Sequence, residues 1–336
     1  MFEVPLLLVL IIAAALVFDF TNGAHDCANA IAPAVSTRVL TPRAAVALAA
    51  SLNLLGALLG EEVANTLGNG IVRPEVISGS RILVLGALIG AIAWNSITWY
   101  FGIPSSSSHA LIGGLIGSTL AQAGSQAINL MSVFSKVLVP LFLSPLAGFC
   151  MGFFLMSLIG LIFFRIHRAF VARVFSRAQI LSCASMALSH GFNDAQKTMG
   201  VISLALLIFG EVETFRIPLW VKLSCAMAMS AGTLMGGWRI VKTMGHKIFK
   251  LEPVHGCAAE LSAAAVIGCA SLVGAPVSTT HTITACIFGV GSTRRLSAVR
   301  WGMAGNLLFA WLLTIPASAC VGAAAFLVLR LIWGQV

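Results

Sequence analysis

Long apolar runs, separated by short polar segments and interrupted by glycine and proline, cover most of the chain. Because about 20 apolar residues cross the core of a bilayer, these runs predict helices that span or enter a membrane. Their approximate bounds are 4–20, 42–60, 82–101, 104–123, 136–164, 178–190, 198–210, 217–238, 257–274, 276–292 and 301–330. Several runs are short or broken. The pattern therefore predicts about 10–12 membrane segments, including broken helices or re-entrant hairpins.

The composition excludes a water-soluble globular protein. Of the 336 residues, 59% are hydrophobic and 9% are charged, whereas a soluble domain has about 25% charged residues. The mean hydropathy is +0.99. The net charge of +9 comes from too few charged residues, in too apolar a chain, to indicate nucleic-acid binding. We expect an all-α polytopic protein whose surroundings are the lipid bilayer, with no nucleic-acid partner.

A basic stretch at residues 165–177 contains four arginines near the midpoint of the chain. It predicts a cytoplasmic linker between a first half, 1–164, and a second half, 178–336. When sides alternate from this linker, most Lys and Arg residues fall on the cytoplasmic side of the cell (inner or plasma) membrane, and both termini fall outside. Each half then crosses the membrane an odd number of times, so the halves have opposite orientations.

Two short motifs recur at nearly the same offset, close to half the chain length. A shift of 168 residues places Gly23 and Asp26 on Gly191 and Asp194. A shift of 172 residues places the segment 102–109 (Gly-Ile-Pro-Ser-Ser-Ser-Ser-His) on 274–281 (Gly-Ala-Pro-Val-Ser-Thr-Thr-His). Two matched blocks at similar offsets predict an inverted-topology repeat of the two halves.

Asp26 and Asp194 lie within or at the end of apolar segments, where a charge costs on the order of 2.5–3.5 kcal/mol or more. On helices each shares a face with other polar residues: Asn22, Asp26 and Asn29 in the first half, and His190, Asp194 and Lys197 in the second. These faces predict a cation near the carboxylates and an anion near Lys197 and Asn29. Two simpler interpretations remain: neighbouring helices satisfy the carboxylates, and Lys197 only forms an ion pair with Asp194.

Each hydroxyl-rich block predicts a helix that begins inside the membrane. We expect Pro104 and Pro276 in the first turns, with free backbone N–H groups and the positive helix end directed at a ligand. The hydroxyl groups add donors, and donors from two helix starts suit a tetrahedral oxyanion. They belong to Ser106, Ser107, Ser108, Ser278, Thr279 and Thr280. Alternatively, these hydroxyl groups form hydrogen bonds within their own helices, or the residues pack as small side chains against neighbouring helices.

Four histidines accompany these motifs. His25 and His190 lie next to the aspartates and are candidates for proton handling. His109 and His281 close the hydroxyl blocks, where they either titrate or donate to a carbonyl group. The chain contains no Walker loop, zinc spacing or recognisable catalytic triad. We therefore expect a non-enzymatic protein without a resident cofactor, driven by an ion gradient. The eight cysteines show no C-x-x-C pair and read as small apolar residues.

With these motifs the chain resembles the inorganic phosphate transporter (PiT) family over essentially its whole length. The segments that carry the resemblance are 22–30, 189–200, 258–264 and 276–281. The resemblance implies an inverted-repeat transporter, often a homodimer. It also implies that the signature Asp and Asn residues and the Ser/Thr blocks bind phosphate and coupling ions. Those signature residues are Asp26, Asn29, Asn193 and Asp194.

The chain departs from the sodium-coupled members of that family at two places. It has His25 where they have Asn, and Gln196-Lys197 where they have Ala-Asn. The fixed charge of Lys197 disfavours at least one sodium site. Both departures resemble the motifs of bacterial low-affinity permeases, which are similar to proton symporters that carry phosphate. We therefore predict phosphate import by proton symport and alternating access, either as the free anion or as a neutral complex with a divalent metal. The alternatives are sodium coupling, a sulfate permease of the same fold and a passive anion channel.

Overall fold

The computed structural model describes residues 5–70 and 81–334, and the fold is all-helical in these two ranges. Its thirteen α-helices are α1 (Leu6–Ser36), α2 (Pro42–Ala57), α3 (Glu62–Gly70), α4 (Ile82–Phe101), α5 (Ser107–Ala123), α6 (Leu130–Val133), α7 (Val139–Phe163), α8 (Arg168–Ile208), α9 (Leu219–Met235), α10 (Trp238–Lys242), α11 (Pro253–Leu272), α12 (Thr279–Arg294) and α13 (Trp301–Trp333). The all-α prediction is confirmed, and all eight cysteines are free thiols.

The two signature motifs lie inside long continuous helices, which corrects the predicted spans. The first predicted span ended at residue 20, but α1 continues to Ser36. The predicted span 178–190 and most of the predicted span 198–210 are parts of the single 41-residue helix α8, which ends at Ile208. This helix also includes most of the stretch predicted to be a linker, since it begins at Arg168. The polar motifs do not break these helices because other helices supply partners for their side chains.

Five helices are long and apolar enough to cross a membrane by length and composition: α1, α4, α7, α11 and α13. A sixth candidate is the pair Pro42–Ala57 and Glu62–Gly68, bent by 69°. This count, made within the described ranges, is lower than the number predicted. The difference arises because α5, α9 and α12 are shorter than a full span and α8 carries polar residues at its centre.

The order of helix lengths in the first half recurs in the second. A long helix, α1 or α8, is followed by one of 16 or 17 residues, α2 or α9. After a short helix comes one of 20 residues, α4 or α11. A helix of 17 or 16 residues follows, α5 or α12, and then a three-residue 3₁₀ turn. Each half ends in a long apolar helix, α7 or α13.

Glycines allow helices of the two halves to cross closely. At Gly56 of α2, an added Cβ would meet the carbonyl oxygen of Leu188 on α8. At Gly232 of α9, an added Cβ would meet the carbonyl oxygen of Phe20 on α1. Small residues permit this backbone approach, which drives helix association in membranes. The crossings hold α1 and α8, which carry the signature motifs, against helices of the opposite half.

Alanine at either crossing should destabilise the protein, because the new methyl group meets a backbone carbonyl that cannot rotate away. We expect Gly56→Ala and Gly232→Ala each to lower stability by about 1–3 kcal/mol. The measurement is the thermal unfolding midpoint of the purified protein in detergent. Gly160→Ala is the control, since an added Cβ there meets open space. Equal midpoints for Gly232→Ala and Gly160→Ala would refute the close crossing.

Candidate functional site

The polar faces of α1 and α8 meet at the centre of the protein. The six side chains of these faces are at most 2% exposed. They are Asn22, Asp26, Asn29, His190, Asp194 and Lys197. A carboxyl oxygen of Asp26, one of Asp194 and a ring nitrogen of His190 all lie within 4.8 Å of one another. The structure therefore brings the two aspartates from matching motifs into one buried cluster.

Two helices begin at this cluster, but not at the predicted residues. We expected the prolines in the first turns, whereas α5 begins at Ser107 and α12 at Thr279. Pro104 and Pro276 precede these helices by three residues. Their assignment to the first turn was wrong, because the serine that follows each proline by two positions has an extended backbone and caps the helix.

The two capping serines occupy matching positions. Ser106 Oγ accepts from the backbone N–H of His109 at 3.2 Å, and Ser278 Oγ accepts from that of His281 at the same distance. Each cap satisfies one backbone donor that a helix start otherwise leaves unpaired. Ser106 and Ser278 therefore shape the helix starts. Of the hydroxyls one and two residues later, those of Ser107, Thr279 and Thr280 reach the aspartates, and that of Ser108 accepts from Lys197.

Three side chains surround the carboxylate of Asp26. The hydroxyl of Thr280 donates to Oδ1 at 3.0 Å, and His25 Nδ1 lies 2.9 Å from the same oxygen. Ser107 Oγ lies 2.6 Å from Oδ2 and 2.6 Å from the side-chain oxygen of Asn22. Hydroxyl groups from the starts of the two half-helices, α5 and α12, thus reach this carboxylate. These donors replace the water that a buried charge loses.

The carboxylate of Asp194 is surrounded in a related way. The hydroxyl of Thr279 donates to Oδ2 at 3.1 Å, and His190 Nε2 lies 3.2 Å from that oxygen. The ammonium group of Lys197 pairs with Oδ1. Lys197 also donates to Ser108 Oγ, on the half-helix of the first half, and to the carbonyl oxygen of Val277 at 3.0 Å. The ion pair is present, and Lys197 additionally connects the two helix starts.

Asn29 connects the two aspartates. Its side-chain N–H₂ group donates to Thr279 Oγ1 at 3.2 Å and to Thr280 Oγ1 at 2.9 Å. Each of these hydroxyls in turn donates to one aspartate, Thr279 to Asp194 and Thr280 to Asp26. In this conformation the threonine hydroxyls orient the carboxylates, whereas we had expected them to be available to an anion.

The two histidines that flank the aspartates have defined outer partners. His190 Nδ1 lies 3.1 Å from Asn53 Oδ1, and Asn53 donates from its other side-chain atom to Thr233 at 2.9 Å. His25 Nε2 lies 3.1 Å from Thr98 Oγ1. Asn53, Thr98 and Thr233 were not predicted as site residues, because single polar residues within apolar runs resemble ordinary helix-packing residues.

Other candidate residues lie outside the carboxylate cluster. Asn193 donates to Ser271 at 2.7 Å. His281 stacks on Trp311 with ring centroids 3.9 Å apart, and His109 lies beside it at 5.0 Å. Within the described residues neither ring nitrogen of His281 has a hydrogen-bond partner, so the carbonyl bond considered for it is not formed.

Gln196, next to Lys197, caps a different helix. Its side-chain oxygen accepts from the backbone N–H groups of Val63 at 2.8 Å and Ala64 at 3.3 Å, in the first turn of α3. Its side-chain N–H₂ group donates to the carbonyl oxygen of Phe192 at 2.6 Å. The Gln-Lys pair that distinguishes the second motif thus contains one residue of the cluster and one that fixes the bent α2–α3 segment.

Two further buried acids were not predicted as candidate site residues. Asp19 precedes Asp26 by seven residues on α1, and Glu260 lies on α11; both are fully buried. Glu260 Oε2 accepts from the hydroxyl of Ser182 at 2.5 Å. The signal for both was available, since each is a charged residue inside an apolar run.

Removal of the Thr280 hydroxyl should destabilise the cluster. Thr280→Val deprives Asp26 of a donor and Asn29 of an acceptor, and unsatisfied buried groups cost about 1–3 kcal/mol each. We expect a lower thermal unfolding midpoint in detergent. Thr284→Val, one turn later on α12, is the matched control because the Thr284 hydroxyl has no hydrogen-bond partner in the described residues. If both variants unfold at the same temperature, the Thr280 hydroxyl does not hold the carboxylate of Asp26 in place.

Comparison with known proteins identifies the family. The profile of the phosphate transporter family (PHO4) matches residues 22–322. The chain is 46% identical to a probable low-affinity inorganic phosphate transporter of Bacillus subtilis, over 98% of both chains. It is 48% identical to one of Rhizobium meliloti, over 95% of this chain and 96% of the other. Both relatives are bacterial proteins of the low-affinity kind that the second motif resembles.

The fold has a counterpart among solved structures. A structure described as the sodium-dependent phosphate transporter superposes with a TM-score of 0.87 and 28% sequence identity, over 97% of this chain and 99% of the other. The several long apolar helices agree with an integral membrane protein. The chain therefore belongs to the phosphate transporter family, and it is a membrane transporter of phosphate and not an enzyme.

Proposed function

We propose that this transporter moves phosphate into the cell by proton symport, with the proton bound at the histidine–aspartate contacts of the central cluster. The observation that carries the proposal is the hydrogen-bond chain through His190. Thr233 donates its hydroxyl to the Met229 carbonyl oxygen at 3.0 Å, so its oxygen accepts from the N–H₂ group of Asn53. This fixes the side-chain oxygen of Asn53 toward His190 Nδ1.

That chain leaves His190 Nε2 as the free ring nitrogen beside Asp194, without a hydrogen-bond partner in the described residues. His190 Nδ1 must carry hydrogen, because it faces the Asn53 oxygen. In a neutral ring Nε2 then presents a lone pair to the Asp194 oxygen 3.2 Å away, which is repulsive. A proton on either atom turns the contact into an attraction. His25 follows the same logic: when it donates from Nε2 to Thr98, its Nδ1 needs a proton beside Asp26.

The charge of the cluster supports cation coupling. Before a proton or phosphate binds, two carboxylates and one ammonium give the cluster a net negative charge, and every one of these groups is buried. A phosphate anion adds more negative charge in a low-dielectric site, so cations must enter with it. The contact between Lys197 and Asp194 disfavours a divalent metal at the three clustered ligand atoms, because the metal would lie against a fixed positive charge.

Protonation would also free donors for phosphate. The hydroxyls of Ser107, Thr279 and Thr280 now donate to carboxylates. A neutral carboxyl group needs these donors less, so they can turn to the oxyanion, together with Asn29 and Lys197 and the positive starts of α5 and α12. Ser108 and Asn193 complete the proposed binding set, and Ser106 and Ser278 contribute as caps of the two helix starts.

We propose that the two halves are inverted repeats that move relative to one another to alternate access. The recurring helix order and the paired glycine crossings support this arrangement. Because the cluster side chains are buried, phosphate reaches them only after helices separate. We retain the predicted topology in the inner membrane, with residues 165–177 cytoplasmic and both termini outside, and the homodimer that the family resemblance implies.

Sodium coupling is the second candidate, because the superposed structure is described as sodium-dependent. Purified protein in vesicles distinguishes the two. An inward pH gradient without sodium should drive uptake of labelled phosphate, with about tenfold accumulation per pH unit for each proton carried. An inward sodium gradient at equal pH should drive none. Uptake driven by sodium alone would overturn proton coupling, and uptake of sulfate without phosphate would overturn the proposed substrate.

Counterflow separates a carrier from a passive channel. Vesicles preloaded with unlabelled phosphate should take up labelled phosphate faster than empty vesicles. A carrier that moves unlabelled phosphate outward brings its binding site back to the outside, where labelled phosphate can bind. Equal rates would favour the channel.

Asp26→Asn and Asp194→Asn should abolish gradient-driven uptake while the protein still folds. Each removes a carboxylate that receives donors from the half-helices. Loss of charged hydrogen bonds worth about 1.5–3 kcal/mol each predicts a decrease of more than about tenfold. Uptake is measured in vesicles, with folding followed by size-exclusion elution. Thr284→Val is the matched control on α12 and should transport normally. Wild-type uptake by both aspartate variants would remove the two carboxylates from the mechanism.

A further inference from the structure

Asp19 is a buried acid that the cluster does not use. Its side chain lies on α1 and is fully buried. Within residues 5–70 and 81–334, neither of its carboxyl oxygens has a hydrogen-bond partner. By contrast, hydroxyl and histidine groups surround Asp26, seven residues later on the same helix face.

The surroundings of Asp19 come from α8 and α9. Thr198 and Cys225 face the carboxyl group without reaching hydrogen-bond geometry, and the Thr198 hydroxyl is itself unpartnered among the described residues. The charged groups that act on Asp19 from α8 are Asp194 and Lys197. Lys197 immediately precedes Thr198, so the surroundings of Asp19 and the central cluster share one turn of α8.

A carboxylate cannot remain ionised in such a place without compensation. Burial of an unpaired charge costs far more than burial of a neutral carboxyl group. A structural role, such as a helix-to-helix hydrogen bond, would show a donor on the carboxyl oxygens, and none is present in the described residues. A sodium ion prefers several oxygen ligands, whereas of the two side chains that face the carboxyl group only Thr198 offers an oxygen. A proton is the ligand that fits.

We propose that Asp19 is a second proton-binding site, separate from the histidine–aspartate contacts, and that its proton is carried with phosphate. This inference rests on the proposed proton symport. The coupling is electrostatic: the positive charge of Lys197 favours the ionised form of Asp19, and a phosphate bound at Lys197 cancels that effect. Phosphate binding and protonation of Asp19 therefore favour one another, as linkage requires. On release of phosphate, Lys197 again favours loss of the proton.

Asp19→Asn mimics the permanently protonated state. In vesicles we expect it to exchange internal for external phosphate at equal pH within about threefold of wild type, while uptake driven by a pH gradient falls more than about tenfold. Fewer protons should enter per phosphate. Ser203→Ala is the matched control, since it removes another buried, unpartnered hydroxyl group of α8 and no acid; it should leave exchange and gradient-driven uptake unchanged.

Each outcome of this experiment decides the inference. Wild-type coupling in Asp19→Asn overturns the proton site, as does a folded variant that has lost exchange as well. If wild type itself shows no uptake driven by a pH gradient, the proposed function fails first, so the two failures are distinguishable.

A second variant covers the case in which Asp19→Asn does not fold. Thr198→Val removes the one hydroxyl that can turn toward the ionised carboxylate. Loss of this charge-assisted hydrogen bond predicts that the pH of half-maximal uptake rises by about one unit or more. Ser203→Ala should keep the wild-type profile. An unchanged profile for Thr198→Val would overturn the inference independently.

Discussion

The architecture depends on the burial of two carboxylates and one ammonium group at the centre of an apolar helix bundle. Water cannot solvate these charges, so protein donors must do so. The donors come from two helices that start at the cluster, and these helices bring hydroxyl groups close to both aspartates. Continuous helices elsewhere satisfy their own backbone groups, which leaves the two starts as the places where the backbone can serve a ligand.

The same constraint explains why the halves interlock. Asp26 receives the Thr280 hydroxyl from the opposite half, and Lys197 reaches Ser108 across the same boundary. Glycine crossings such as that of Gly56 against Leu188 bring the backbones near enough for these contacts. Each half thus supplies a hydrogen-bond partner to a buried charge of the other half. A cluster assembled from both halves is therefore sensitive to any movement between them.

The sequence predicted which charged residues are buried together better than it predicted the bounds of the helices that carry them. Fixed charges in apolar runs and matched motifs identified Asp26, Asp194 and Lys197, because such residues are costly and require partners. The same criterion applied to Asp19 and was overlooked. The roles of Asn53 and Thr98 could not be predicted, since they depend on which helices cross. Helix bounds differed for a related reason: tertiary partners let α1 and α8 continue through segments that look like breaks in the sequence.

Gln196 gives the cluster a mechanical connection to the bent α2–α3 segment. Its side chain holds two backbone N–H groups at the start of α3, while the adjacent Lys197 holds the two half-helix starts. A rotation of α8 that repositions the ammonium group must therefore strain or release the α3 cap. Lys197 and the start of the bent α2–α3 segment are thus joined through a single turn of α8.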